Sequence, residues 1–297
     1  MSAVHGPMTV GCTKFQQLVL SGGGTRCYWQ GGFLHAVGNE IGLGSIERIS
    51  AVSGGALTAC GHVAHIGERI LEKTLEVFER ETSNLDPSSE EGGPTPHEEA
   101  YREIVEAVFD EPAIRSVAEG PEIEIVLTGL PEKLWDELSI AATFGLYLVD
   151  RLARGSTTKT LTKLAGIEEV RVSARKAARD GRLVDLVTTA ARIPPVFDVD
   201  SWNGQHVIDG GSISDAPFPS EDKGNSLILL ASDFRHVPHK EGRIFVMPSQ
   251  TVPTDKIDFT DPTEVRDAWD LGQKDGLAFL EAWRMGPMDW QKVYTPS

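Results

Sequence analysis

Apolar positions along the chain change period several times, and each change marks an element. Residues 16–20 end in an unbroken apolar run, which reads as a short buried strand. Gly22, Gly23 and Gly24 break it. Beyond them Trp29, Phe33, Val37 and Ile41 recur every four residues, the stripe of a helix that Gly42 and Gly44 are expected to end. Residues 48–52 return to a strand, and residues 56–66 to a helix entered straight from a turn. Strand, glycine turn and helix, repeated, is the pattern of a parallel α/β sheet. In such sheets ligands bind where strands end and helices begin.

The same reading continues downstream. Helices are expected over 68–81, with Ile70, Leu71, Leu75 and Phe78 on one face, and over 97–109. Residues 122–128 alternate acidic and apolar and read as a strand; residues 134–153 read as an unusually apolar helix. A strand over 169–173 and a helix over 183–192, stopped by Pro194 and Pro195, follow. Residues 196–199 and 205–208 read as a hairpin around Trp202-Asn203-Gly204. Residues 227–231 and 243–247 are buried-strand runs, and 262–283 is a closing helix with Val265, Trp269, Gly272, Gly276 and Leu280 along one face. Between these elements, residues 83–96 (SNLDPSSEEGGPTP) are acidic and rich in Pro, Gly and Ser, the composition of a solvated surface loop. The expectation is one domain over 14–297, preceded by a loose leader at 1–13.

Charge narrows the partners. The 297 residues carry a formal net charge of −16. That argues against nucleic acid and against simple attraction to anionic lipid, which both need basic patches. Cys12, Cys27 and Cys60 show no CxxC spacing, so a reducing compartment is the simpler reading. The first residues lack the basic stretch and apolar core of a signal peptide. The longest apolar run, 140–149, is far short of the roughly 18 residues a membrane span needs. A cytoplasmic protein is expected, with export by a signal-less route left open.

Three stretches carry candidate chemistry. Gly22-Gly23-Gly24 lies between a strand and a helix, where glycines let a ligand approach backbone N–H groups and the helix start favours negative charge. It lacks the Gly-Lys-Ser/Thr ending of a Walker loop, and Tyr28 and Trp29 stand where a dinucleotide fingerprint needs a helix-packing glycine. Ser53, in Ala51-Val52-Ser53-Gly54-Gly55, has the strand–serine–helix setting of a nucleophile elbow, with small residues two before and two after it. Asp209 ends an apolar strand before Gly210 and Gly211. Read alone, these are a packing loop, a tight turn and a turn aspartate capping its own backbone. Read together, they supply oxyanion donors, a nucleophile and a base. An aspartate of ordinary pKa, about 3.9, is a weak base for a serine hydroxyl, so such a site needs partial desolvation and a strong oxyanion hole.

The order and context of these stretches resemble the patatin-like phospholipases, or lipid acyl hydrolases. Gly22-Gly23-Gly24-Thr25-Arg26 is similar to the family's G-G-G-x-R/K loop, Ala51-Val52-Ser53-Gly54-Gly55 to its G-x-S-x-G elbow, and Asp209-Gly210-Gly211 to its D-G-G/A element. TAARIPPVF, residues 189–197, resembles the A-S-x-A-I-P-x-x-F segment before the aspartate. The resemblance spans about 16–230. It implies a three-layer α/β/α fold with a mostly parallel sheet, a Ser53–Asp209 dyad, and hydrolysis of phospholipid or other acyl-lipid esters without a metal or cofactor. It also implies transient contact with a membrane surface. Gly22, Gly23, Gly24 and Gly54 become the oxyanion loop and elbow donors, and Arg26 steadies the loop or meets a lipid phosphate. Gly55 matches the elbow; Ala51 departs from it, and its extra methyl is expected to crowd the turn.

Other readings compete. A Ser-His-Asp triad is the commoner hydrolase design, but His206 lies three residues before Asp209, an odd spacing that puts the two on opposite faces of a strand. Asp215 is the reserve base. His62 and His65 are three apart on a helix, a spacing for a shared metal that lacks a third ligand in a recognisable motif. A non-catalytic nucleotide- or anion-binding module would use the glycine loop alone. An amidase or thioesterase would use the same machinery as an ester hydrolase.

Overall fold

The computed structural model describes residues 15–38, 40–81, 83–84, 97–131, 166–193, 199–232, 234, 242–285 and 293–294. The expected leader, the apolar helix at 134–153 and nearly all of the acidic loop lie outside these residues.

The chain runs β1 (Gln17–Leu20), α1 (Tyr28–Val37), β2 (Arg48–Val52), α2 (Gly54–Ala64), α3 (Gly67–Arg80), α4 (His97–Val108), α5 (Glu111–Glu119) and β3 (Glu122–Gly129). It continues through β4 (Glu168–Ser173), α6 (Ala174–Arg179), α7 (Leu183–Ala190), β5 (Asp200–Trp202), β6 (Gln205–Asp209), β7 (Ser226–Leu229), β8 (Arg243–Val246), α8 (Pro262–Met285) and β9 (Val293–Tyr294). The nine strands among the described residues form one sheet along the path β5-β6-β3-β2-β1-β7-β8-β9, with β4 also on β3. Pairing is parallel through β3-β2-β1-β7-β8-β9 and antiparallel where β4, β5 and β6 join. The fold is therefore mixed α/β around a mostly parallel sheet, as expected from the alternating pattern.

Side-chain alternation along the strands divides the core. Leu18, Leu20, Ile49, Ala51, Ile123, Ile125 and Leu127 face the helices and form one large cluster with them. Val19, Ile228 and Phe245 face the other way, into a smaller cluster covered by Ala216, Phe218, Phe234 and Met247. Among the helices, α1 and α8 approach until backbone meets backbone. A Cβ on Gly32 would lie 2.0 Å from the Trp269 carbonyl oxygen, and one on Gly272 2.0 Å from that of Trp29. The buried Trp29 indole donates to Asp275 on α8 at 2.8 Å, which satisfies both polar groups in the crossing.

Several boundaries differ from expectation. α1 stops at Val37, not at Gly42, because Gly38 takes φ 50° and caps it. Residues 196–198 of the expected hairpin strand lie outside the described residues; the strand paired to β6 runs Asp200–Trp202, with Trp202 opposite Gln205, so Asn203-Gly204 alone turns the chain with φ 51° and 83°. α5 went unread from the pattern, although Asp110 caps it by accepting from the Ala113 amide at 3.0 Å and Pro112 sits in its first turn. No helix among the described residues is long and apolar enough to cross a membrane.

Candidate active site

Ser53 sits where β2 ends and α2 begins, with φ 56° and ψ −139°. Such a conformation costs a non-glycine residue about 1–3 kcal/mol. It is held because β2 is locked between parallel neighbours, Leu20 on one side of Ala51 and Ile125 on the other. Beyond the serine no side chain fits: a Cβ on Gly54 would stand 2.7 Å from the Gly24 carbonyl oxygen, and one on Gly55 2.7 Å from that of Ser21. The Ala51 methyl, expected to crowd the elbow, is fully buried in an unbroken ladder that continues through Val52.

Asp209 reaches the same place by a different route. β4 occupies one edge of β3, so β2 and β6 share the other edge. β2 runs up that edge as far as the pair Val52–Val126, and β6 runs down it to the pair Asp209–Leu127. The two strand ends therefore meet head to head beside consecutive residues of β3. Gly210 seals the junction, since a Cβ there would lie 2.2 Å from the Val126 carbonyl oxygen and 2.9 Å from Val52 Cγ2. Asp209 is buried and its backbone is fixed twice, by donation to the Arg192 carbonyl at 2.8 Å and by acceptance from Thr128 Oγ1 at 2.9 Å. Its carboxylate accepts from the Gly211 amide at 2.6 Å. Arg192 is itself held by Glu98 of α4 and by Asp200 of β5 at 3.3 Å.

The glycine loop lies against the serine turn. Gly22 adjoins Ser53, with room for no more than a hydrogen: a Cβ would lie 3.0 Å from Ser53 Cβ. Its N–H donates to the Asp215 carbonyl at 2.9 Å, so Gly22 makes space beside the serine and is not the oxyanion donor it was expected to be. Asp215, the reserve base, contributes this backbone contact. Gly24 takes φ 57°. Arg26 donates through Nε to the Thr254 carbonyl at 3.0 Å. Cys27 lies beneath the loop with Sγ 3.6 Å from the Ser21 carbonyl oxygen, and burial pushes its thiol pKa far up, which makes it inert.

A cavity of about 270 Å³ opens from Ser53, Gly54, Gly24 and Thr25. Its lining includes the apolar Leu34, Leu57, Ile70, Phe78 and Ile104 and the polar His35, His65 and Glu68. His62 lines it too; burial, with a smaller push from His65, lowers its pKa to about 4. No described histidine completes a triad at the serine. His206 stands three residues, roughly 10 Å, down β6 from Asp209. His62 is nine residues along α2 from Ser53, and no group of three or more metal-binding side chains gathers among the described residues. Sequence reasoning missed Thr128, Arg192 and Lys256. Thr128 and Arg192 act through the Asp209 backbone, and Lys256 sits on an irregular segment, so none offered a periodic or motif signal.

The chain has known counterparts. A family model described as patatin-like phospholipase matches residues 18–221, more than half of the chain. No curated protein matches it. Among solved structures the chain is similar to VipD from Legionella pneumophila, with 13% identity, 91% of this chain and 67% of that chain covered, and a TM-score of 0.50. It also matches the type III effector protein ExoU, with 13% identity, 92% and 54% covered, and a TM-score of 0.36.

Proposed function

Since the chain belongs to the patatin-like phospholipase family, the lipid acyl hydrolases, we propose that it cleaves acyl-lipid esters with Ser53 as nucleophile and Asp209 as its base. The observation that supports the reading is the meeting of β2 and β6 end to end on one edge of β3: Val52, one residue before Ser53, pairs with Val126, and Asp209 pairs with the next residue, Leu127.

The chemistry follows from what each group can do. Asp209 takes the hydroxyl proton as Ser53 Oγ bonds to the ester carbonyl carbon. Charge then develops on the carbonyl oxygen. The N–H groups of Gly23, Gly24 and Gly54 and the positive end of α2 receive it, and one such donor is worth about 2.7–4 kcal/mol. Collapse breaks the ester C–O bond, and the leaving alcohol carries off the proton from Asp209. Water then attacks the acyl-serine, losing its proton to Asp209, and the fatty acid leaves as Ser53 is restored. The apolar part of the cavity lining takes the acyl chain, and the substrate is met at a membrane surface.

The test is hydrolysis of p-nitrophenyl esters of graded chain length by wild type, Ser53→Ala and Asp209→Asn, each with a thermal melt. Ser53→Ala is expected to lose at least about 10⁴-fold in kcat, and Asp209→Asn about 10³–10⁴-fold, with folding kept. Activity surviving in Ser53→Ala would sink the assignment.

A further inference from the structure

We propose that Lys256 forms an anion subsite beside Ser53 that takes the phosphate of a phospholipid head group. The proposal deepens the hydrolase reading and rests on it. Lys256 belongs to a segment without regular structure between β8 and α8, outside the residues the family model matches.

That segment is pinned against the oxyanion loop. Thr25 Oγ1 lies 3.1 Å from Thr254 Oγ1, and the Thr25 amide donates to the Lys256 carbonyl at 3.3 Å. The Lys256 carbonyl oxygen occupies the space beside Gly24, 2.0 Å from where a Cβ would be. On the outer side His97 Nε2 lies 2.8 Å from the Ile257 carbonyl oxygen, and Phe259 stacks on Phe78 at 4.8 Å. The backbone that carries the lysine is thus fixed on both sides, and the subsite comes pre-positioned.

Lys256 lines the cavity together with Ser53, Gly24 and Gly54, and it is the one lysine or arginine among the described lining residues. Its charge and that of Asp209 both act on the Cys27 thiol beneath the loop, in opposite senses, which places the ammonium within the field of the site. Arg26, the other cation of the loop, is turned to Thr254. On a chain of net charge −16, an anionic head group is repelled unless a cation at the site offsets the field. A phospholipid carries its phosphate only a few bonds from the ester that Ser53 would attack. An ammonium on a four-carbon stem is suited to meet it as a point charge.

The experiment compares two substrates with identical acyl chains: a short-chain phosphatidylcholine below its aggregation concentration and the matching diacylglycerol. Wild type, Lys256→Gln and Lys256→Arg of the full chain are assayed, with Ser53→Ala as the blank. Wild type is expected to prefer the phospholipid. Lys256→Gln should lower the phospholipid-to-diacylglycerol ratio of kcat/KM roughly 10- to 100-fold, and Lys256→Arg should restore most of it. An equal fall on both substrates, or an unchanged ratio, overturns the assignment and leaves the hydrolase reading standing. Inorganic phosphate that inhibits diacylglycerol cleavage in an enzyme with no phospholipid preference would mark a site for free phosphate, and the head-group assignment would fall. Turnover of neither substrate by wild type would remove the hydrolase reading and this subsite together.

Discussion

Ser53 and Trp269 bound the same cavity, one at the end of a strand and the other on a long C-terminal helix. The serine is held by hydrogen bonds: β2 in its ladder, β6 meeting it head to head, the Asp209 backbone gripped by Arg192 and Thr128. The tryptophan is held by shape. Its ring fills the space beside Gly31, where a Cβ would lie 2.7 Å from Cζ3, and beside Gly67, 3.3 Å from Cη2. Hydrogen-bonded registers tolerate little displacement, whereas packed apolar walls tolerate exchange at constant volume. The reacting end should therefore respond to substitution by losing turnover, and the wall by changing which acyl chain is preferred.

The largest effect should come at the reacting end, at Gly24. An alanine there meets two obstacles, a φ of 57° and the Lys256 carbonyl oxygen 2.0 Å from its Cβ. The strap of 254–259 has to shift and the loop N–H groups with it. Gly24→Ala is expected to lose about 10²–10³-fold in kcat on a short ester. Gly38→Ala is the matched control, since Gly38 takes φ 50° with nothing within 4 Å of its Cβ position. It should lose stability by about 1–2 kcal/mol and keep its turnover. Equal kinetics for the two variants would show that strain alone, and not the strap, governs the loop.

The contrast also explains what could be read from the sequence. The elements that carry the chemistry announce themselves locally. A strand run, three glycines and a serine between small residues lie within 40 positions, and their backbone demands fix the residue types. β1, β2 and the start of α2 were legible for that reason, and so was Asp209 before its two glycines. The head-to-head arrangement of β2 and β6 was not, because it depends on β4 taking the far edge of β3, a choice made by residues 40 positions away. Nor was the commitment of Gly22 N–H to Asp215, which is a contact between carbonyl and amide and leaves no trace in side-chain pattern. Lys256 and Trp269 were invisible as site residues for a further reason. Lys256 sits against Gly24 and Trp269 against Gly31 and Gly67, and a glycine in the sequence does not say what fills its place.

Trp269 gives the next test. Its ring lines the cavity and packs against Gly31 of α1. Trp269→Leu should extend the space toward His35 and Gly38 and move the optimal ester toward longer chains, with a several-fold loss on the former optimum. A stability loss of about 1–3 kcal/mol accompanies the smaller side chain. Trp283→Leu, on the same helix but stacked on Phe15 at 5.2 Å and away from the cavity, should alter all chain lengths alike. If both variants scale the whole profile uniformly, the wall does not measure the acyl chain.

The smallest effect lies on α2, which joins the two regions by carrying Gly54 at its start and His62 on the cavity wall. Burial lowers the His62 pKa from 6.5 to about 4, so the folded protein keeps this imidazole neutral where the unfolded chain protonates it. The sign follows from proton counting. Between pH 6.5 and about 4 the unfolded state binds more protons, so stability is fully present above 6.5 and is lost as the pH falls toward 4. The loss attributable to this group is at most about 3 kcal/mol, and less where water enters the cavity and softens the desolvation. His97, lowered in the same direction mainly by burial, adds its own share and remains in the variant. His62→Gln should therefore flatten, without abolishing, the decline of urea-unfolding free energy between pH 6.5 and 4.5. It should leave the chain-length profile near that of wild type, because a glutamine fills similar volume. A decline as steep in the variant as in wild type would mean that the cavity wall is hydrated enough to hold the imidazolium, and the contrast between a fixed reacting end and a dry packed wall would lose its second half.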